Sequence, residues 1–248
     1  MTMAEQEVSL APNLTPTASE TSPETWLIEL HCHTEWSKDC LNSFEQVVAV
    51  ARRRKLDRII LTDHNTAEGA LQWAQRNPDL FIPGEEIMTT QGELLAWFVK
   101  ETVPRGLTPQ ETIQRLRDQG AVIGVAHPFD RVRRGAWRME HLLEIVDLVD
   151  TIEVFNARCF FMGDNLQAAD FAKSHHKPGT AGSDAHIPYE YGRAAMRVAP
   201  FSDAEGLLDS LVNGEIVAKI SPWWVHSRSS LAKYLKRYGL RKRLWEGG

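Results

Sequence analysis

Apolar residues fall in nine short runs along the chain: Trp26–His31, Arg58–Thr62, Leu80–Pro83, Leu94–Val99, Val122–Ala126, Thr151–Phe155, Gly179–Gly182, Ala195–Ala199 and Glu215–Ile220. Runs this short, bounded by polar or turn residues, predict strands. Helical patterns fit between most of them. Over residues 43–55, Phe44, Val47, Val48 and Ala51 share one face at the 3.6-residue period. Thr108-Pro109-Gln110-Glu111 is a capping box with proline at the first helical position, and Gly120 marks the stop. Ser202-Asp203-Ala204-Glu205 repeats the capping signature ahead of Leu207 and Leu208. Strands alternating with helices predict an α/β fold with a parallel sheet, most economically a barrel, in a single domain.

The two ends read differently. Residues 1–25 are rich in Thr, Ser, Pro and Glu and are expected to form a disordered leader. Lacking Lys, Arg and an apolar core, that stretch does not read as a signal peptide. The barrel is expected over 26–225 and a basic helix or tail over 226–248. From Arg228 to Arg243 the chain carries seven cations and no acid. One reading is an arm for phosphate or nucleic acid. The other is a solvated basic helix packing Leu231, Tyr234, Leu235 and Tyr238 on the body. The net charge of −5 favours the second.

Composition adds exclusions. No run approaches the roughly 18 apolar residues of a membrane span. Cys32, Cys40 and Cys159 are an odd number without a CxxC pair, which argues against a disulfide framework or a zinc knuckle. A reducing, cytoplasmic setting is expected.

The informative polar residues sit at strand ends, where α/β barrels build their sites. The first strand ends in His31-Cys32-His33, which places both imidazoles on one face with Cys32 opposite. The second ends in Thr62-Asp63-His64-Asn65, the third is followed by Pro83-Gly84-Glu85-Glu86, the fifth ends in His127-Pro128, and the seventh in Ser183-Asp184-Ala185-His186. Each alone has a structural reading, as a cap, a turn or a packed histidine. Together they are hard to obtain by accident. So many imidazoles and carboxylates around one barrel mouth would be costly to desolvate without a cation. Nitrogen and oxygen donors without thiolates suit Zn²⁺, Mn²⁺ or Fe²⁺, and the number of donors implies two or three ions.

In this order, His31-Cys32-His33-Thr34, Thr62-Asp63-His64-Asn65-Thr66, Pro83-Gly84-Glu85-Glu86, His127-Pro128-Phe129 and Gly182-Ser183-Asp184-Ala185-His186 resemble the polymerase and histidinol phosphatase (PHP) family. The resemblance spans roughly residues 27–200. It implies a distorted (β/α)7 TIM-like barrel that hydrolyses phosphoesters with up to three metals. By the family pattern His31 and His33 hold one metal with Glu86 and Asp184, and Glu86, rather than Glu85, bridges two. Asp39 joins His64 and His186 at another metal, and His127 serves the remaining one. Where the family usually has a histidine after the bridging glutamate, this chain has Glu93, expected to ligate as a carboxylate.

The expected reaction is attack on phosphorus by a water bridging two metals, centred on Asp184 and His186. Arg158 and Arg193 are expected to clamp the phosphate, ahead of the Arg131, Arg133 and Arg134 run. The partner is a small phosphorylated substrate, a nucleotide or short oligonucleotide included, with no membrane and no obligatory protein partner. His141, His175, His176 and His226 are read as surface or packing histidines. Two alternatives are an amidohydrolase-type barrel acting on C–N bonds and a silent metal-binding regulatory domain.

Overall fold

All nine apolar runs form strands in the computed structural model, which describes residues 25–133 and 135–240. They are β1 (Trp26–Glu29), β2 (Arg58–Leu61), β3 (Phe81–Met88), β4 (Glu93–Trp97), β5 (Val122–Val125), β6 (Thr151–Asn156), β7 (Gly179–Gly182), β8 (Ala194–Val198) and β9 (Glu215–Ala218). The helices are α1 (Phe44–Arg54), α2 (Glu68–Arg76), α3 (Pro109–Gln119), α4 (Met139–Ile145), α5 (Met162–Ser174), α6 (Ala204–Val212) and α7 (Val225–Arg237). The expectations for residues 1–24, Arg134 and 241–248 lie outside the described residues.

The strands form one sheet in the order β7-β6-β5-β4-β3-β2-β1-β8-β9. Strands β1 to β3 are mutually parallel, as are β5 to β7. The sheet curls until the ends of β1 and β7 meet: Cys32 bridges Ala185, Asp184 N donates to His31 O at 2.7 Å, and His33 N donates to Ala185 O at 2.9 Å. The result is a nearly closed, distorted seven-stranded barrel. Strands β8 and β9 fill the other half of that seam, β8 pairing antiparallel with the start of β1.

The expectation of an all-parallel sheet is therefore corrected at β4, β8 and β9. Strand β4 runs antiparallel to both neighbours. Only residues 89–92 separate β3 from β4, too few for the crossover of about a dozen residues that a parallel connection needs. The reversal is hidden in the sequence because Pro83-Gly84 reads as a turn. Instead the strand continues through it to Met88. Gly84 is there for close approach, since a Cβ would lie 2.8 Å from Ala96 O, Leu61 O and Ile60 Cγ2.

Helix ends follow the capping chemistry. Ser43 caps α1, reciprocated by Gln46; Thr108 caps α3 through Glu111, and Gly120 ends it in the left-handed conformation. For α6 the cap is Asp203, one residue later than the Ser202 signature suggests, with its side chain accepting from Gly206 N. Ile28, Leu30, Ile60, Ile82, Leu95 and Trp97 belong to one buried cluster beneath the site, and Trp97 Nε1 donates to Leu30 O at 3.0 Å. A second cluster joins α1 and α2 to β1–β3, and a third joins α3 to α5 to β4–β6.

Helix α7 is turned away from the face expected to pack: Val225 and Ala232 are buried and Leu235 is half-buried, whereas Leu231, Tyr234 and Tyr238 are exposed. Two polar anchors decide the orientation: Lys236 Nζ donates to the carbonyls of Glu35 and Ser37, and Arg158 Nη2 donates to Ser229 Oγ. No helix among the described residues is long and apolar enough to cross a membrane.

Candidate metal centre

The donors converge because the barrel brings its strand ends to one rim. His31 and His33 follow β1, His64 follows β2, Glu86 lies in β3, His127 follows β5, and Asp184 and His186 follow β7. Glu93 is the first residue of β4, and the reversal of that strand puts its start at the rim where its neighbours finish. Pairing between β2 and β3 continues into the site through a His64–Glu86 bridge, with Asn65 N donating to Glu86 O at 2.8 Å.

Glu86 is the hub. Its Oε1 lies 3.3 Å from His31 Nε2 and 2.9 Å from His127 Nε2; its Oε2 lies 2.7 Å from His64 Nδ1 and 3.4 Å from His33 Nε2. Asp184 Oδ1 is 3.1 Å from His33 Nε2 and 3.7 Å from His31 Nε2. On the outer side, Asp39 Oδ1 is 3.6 Å from His64 Nε2 and 3.5 Å from His186 Nε2. Glu93 Oε2 is 3.6 Å from His127 Nε2. Glu85 points elsewhere and accepts from Val103 N at 2.9 Å.

These residues fit divalent metal ions. Bonds of about 2.0–2.2 Å imply neighbouring donors roughly 3–3.6 Å apart, and the contacts around Glu86 run from 2.7 to 3.4 Å. Buried His31 Nε2 and Asp39 Oδ1 have no hydrogen-bond partner, an unusual state for buried polar atoms. Overlapping groups bring three donors each together: His33, His64 and His186; His31, His127 and Asp184; His31, His33 and Glu86; and His64, Glu86 and Glu93.

A second set of residues, none of them among the expected metal ligands, orients the donors. Glu153 Oε1 lies 2.9 Å from His31 Nδ1, and Oε2 accepts from His127 N at 2.8 Å and Asn156 Nδ2 at 3.2 Å. With its Nδ1 proton given to Glu153, His31 keeps Nε2 free as a donor. His33 Nδ1 lies 3.2 Å from Ser37 Oγ, which donates to Asp63 Oδ1 at 2.6 Å. Asp63 also accepts from the Thr34 amide and hydroxyl, so it braces the loop and is not a donor. The one sequence signal for Glu153 was a carboxylate inside an apolar run. His127 and Asp184 adopt positive φ, 26° and 52°, a strained conformation typical of working sites. Gly182 clears the space behind His31, where a Cβ would stand 2.3 Å from His31 Cβ.

The field is set by buried carboxylates. Burial opposes ionising Glu86, but His31 and His64 overcome it and hold its pKa well below the usual range. Asp184 is likewise held low against burial, chiefly by Arg133 and then His31. Arg133 Nη2 donates to Asp184 Oδ2, and its Nε donates to Asp130 Oδ2 at 3.0 Å. His64 is pushed up to about 9 as Glu86 outweighs burial. His33 is driven down by burial and by His64 and His186. Glu93 is raised by burial and by Glu86.

The cluster opens into a cavity of about 300 Å³. Arg133 and Arg158 line it with Asp39, His64, Glu93 and His186. Arg193 is not brought there: its guanidinium donates to Ile220 O and lies over the Tyr189 ring. Arg131 pairs with Asp164. His226 does not sit apart from the site as the sequence suggested. It lines the cavity with Ser229 and Lys233 of α7 and stacks on Phe160 at 4.1 Å. No local motif marks these residues, because α7 reaches the rim only through tertiary packing.

Comparison with known proteins adds family evidence. A family model described as PHP domain matches residues 29–80, and one described as PHP-associated matches residues 163–216. An uncharacterized protein of Methanocaldococcus jannaschii is 35% identical over 173 residues, covering 68% of this chain and 69% of that protein. Among solved structures, PsfC from Pseudomonas syringae superposes with a TM-score of 0.63 at 16% identity, over 86% of this chain and 98% of its own. A two-domain Bacteroides vulgatus protein, described as containing a predicted PHP-like metal-dependent phosphoesterase, gives 0.61 at 20% identity, over 84% and 70%.

Proposed function

Since this chain belongs to the PHP family, we propose that it is a phosphoesterase that hydrolyses a small phosphorylated substrate, a nucleotide or short oligonucleotide included. Family membership and the donor cluster together support the coarser statement, a metal-dependent hydrolase. The observation that carries the finer one is a cluster of nine His, Asp and Glu donors, four of which (Asp39, His64, Glu93 and His186) line a cavity that Arg133 and Arg158 line too.

His31, His33, Glu86 and Asp184 would hold one ion, Asp39, His64 and His186 another, and His127 with Glu93 completes the set. When bound, Mn²⁺, Fe²⁺ or Zn²⁺ would neutralise phosphate charge and lower the pKa of water. The chain's residues do the rest. Glu153 and Ser37 fix the rings of His31 and His33. His186 Nδ1 faces the Asp184 carbonyl at 2.8 Å, which leaves Nε2 directed to Asp39 and the cavity. Arg133 and Arg158, held by Asp130, Asp184 and Ser229, set fixed positive charge along the cavity for phosphate oxygens and for charge that builds in the transition state. The cavity size favours a small molecule.

The amidohydrolase alternative expects a lysine bridging the metals, a place that Glu86 would take here. The test is phosphate release from phosphomonoesters, bisphosphates and short oligonucleotides with Mn²⁺ added. Activity should vanish with chelator and in His33→Ala. Turnover of amides but not phosphoesters would overturn the reading.

A further inference from the structure

Two lysines line the same cavity from distant parts of the chain. Lys38 lies in the loop between β1 and α1, and Lys233 lies on α7. Neither makes a hydrogen bond or ion pair among the described residues, although Asp39, Glu93 and Asp130 line the same space. Those acids are engaged elsewhere: Asp39 with His64 and His186, Glu93 with His127, and Asp130 with Arg133.

Lys233 is held over the mouth. It lies one helical turn from Ser229, which accepts from Arg158 at 2.8 Å, and one turn from Lys236, which donates to the Glu35 and Ser37 carbonyls. Residues so spaced share a helix face, so both anchors present Lys233 to the cavity. Phe160, which lines the same cavity, is 49% exposed and stacks on His226 with rings 17° apart, an apolar wall. Two cations without acceptors, at the rim of a cavity whose donors would engage one phosphate, leave a place for further negative charge.

We propose that Lys38 and Lys233 form a second anion site, so the substrate is a small phosphomonoester that carries another anionic group. This rests on the phosphoesterase reading. The second group binds at the rim, the scissile phosphate lies at the donor cluster, and the connecting body lies against Phe160. Helix α7 across the mouth selects small molecules over polymers.

The test compares matched pairs with the metal-loaded enzyme: a ribonucleoside bisphosphate against its monophosphate, and a hexose bisphosphate against the hexose monophosphate. The bisphosphate should be favoured in kcat/KM by about tenfold or more, the worth of one charge-assisted contact. In a Lys38→Ala, Lys233→Ala double variant the preference should fall to within about threefold, and Lys233→Glu should lower it further. Melting curves check that the variants fold. Equal kcat/KM for both members of each pair overturns the second site and leaves the phosphoesterase reading standing. Faster cleavage of a single-stranded oligonucleotide than of the bisphosphate overturns the small-substrate assignment. No turnover of any phosphoester overturns both.

Discussion

Glu153 offers the sharpest test of how the centre is built. Its two oxygens are both committed as acceptors: Oε1 to His31 Nδ1 at 2.9 Å, Oε2 to the His127 amide at 2.8 Å and Asn156 Nδ2 at 3.2 Å. Glu153→Gln keeps the volume but supplies one acceptor where two are needed. The amide nitrogen must then face a donor, either the His127 N–H or the His31 ring. In the second case His31 is pushed to the tautomer whose Nε2 carries the proton and cannot ligate. Losing a charged hydrogen bond costs about 1.5–3 kcal/mol. That matches the roughly 10–100-fold in metal affinity typical of the residues behind a metal-ligating histidine. Competition against a chromophoric chelator, with Mn²⁺ or Zn²⁺, measures it. Glu85→Gln is the control, because Glu85 faces away from the cluster toward Val103. A folded Glu153→Gln protein that binds metal within about twofold of the parent would refute the orienting role.

Three further outcomes are expected. Stripping metal with chelator should lower the melting temperature, because ligand at 100-fold above its Kd adds about 2.7 kcal/mol, roughly 5–11 °C for a domain of this size; an unchanged melting curve would argue against bound metal. Gly182→Ala places a methyl 2.3 Å from His31 Cβ and 2.6 Å from Glu153 Oε1, and should cost about 1–3 kcal/mol and weaken metal binding, read by urea melts and the same competition assay. Burial pushes the Glu85 carboxyl from 4.5 up to about 8, so the folded state holds a proton that the unfolded chain has lost. Stability should therefore fall with rising pH across that window, by at most about 1.4 kcal/mol per pH unit, and Glu85→Gln should flatten the slope in urea midpoints.

The legible part of this molecule is the part that secondary structure periodicity and side-chain chemistry report directly. Each strand was visible as an apolar run, and the donors were visible because they follow those runs immediately. Rim position in a barrel depends only on strand ends, so His31, His64, His127 and Asp184 could be grouped without knowing the sheet order. Direction was less legible. Pro83-Gly84 looks like punctuation, yet Gly84 serves a close approach inside β3, and missing the four residues after Met88 conceals the hairpin that reverses β4. That reversal has a consequence for the site. A parallel β4 would carry Glu93 to the opposite end of the barrel, away from His127. Glu93 stands among the donors because its strand runs backwards.

Helix α7 shows the other limit. Its period groups Leu231, Tyr234, Leu235 and Tyr238 but says nothing about which of them turns inward, and only Leu235 does so in part. The choice is made by contacts far away in sequence: the carbonyls of Glu35 and Ser37 that receive Lys236, and the guanidinium of Arg158 that reaches Ser229. Those partners turn Ala232 inward and bring His226 and Lys233 to the cavity, while the aromatic side chains face out. An overall charge of −5 argued for a merely solvated basic helix, but net charge averages over the whole surface. What matters at the mouth is that the local acids already have cationic or imidazole partners, so Lys38 and Lys233 stand as uncompensated charge beside the donors.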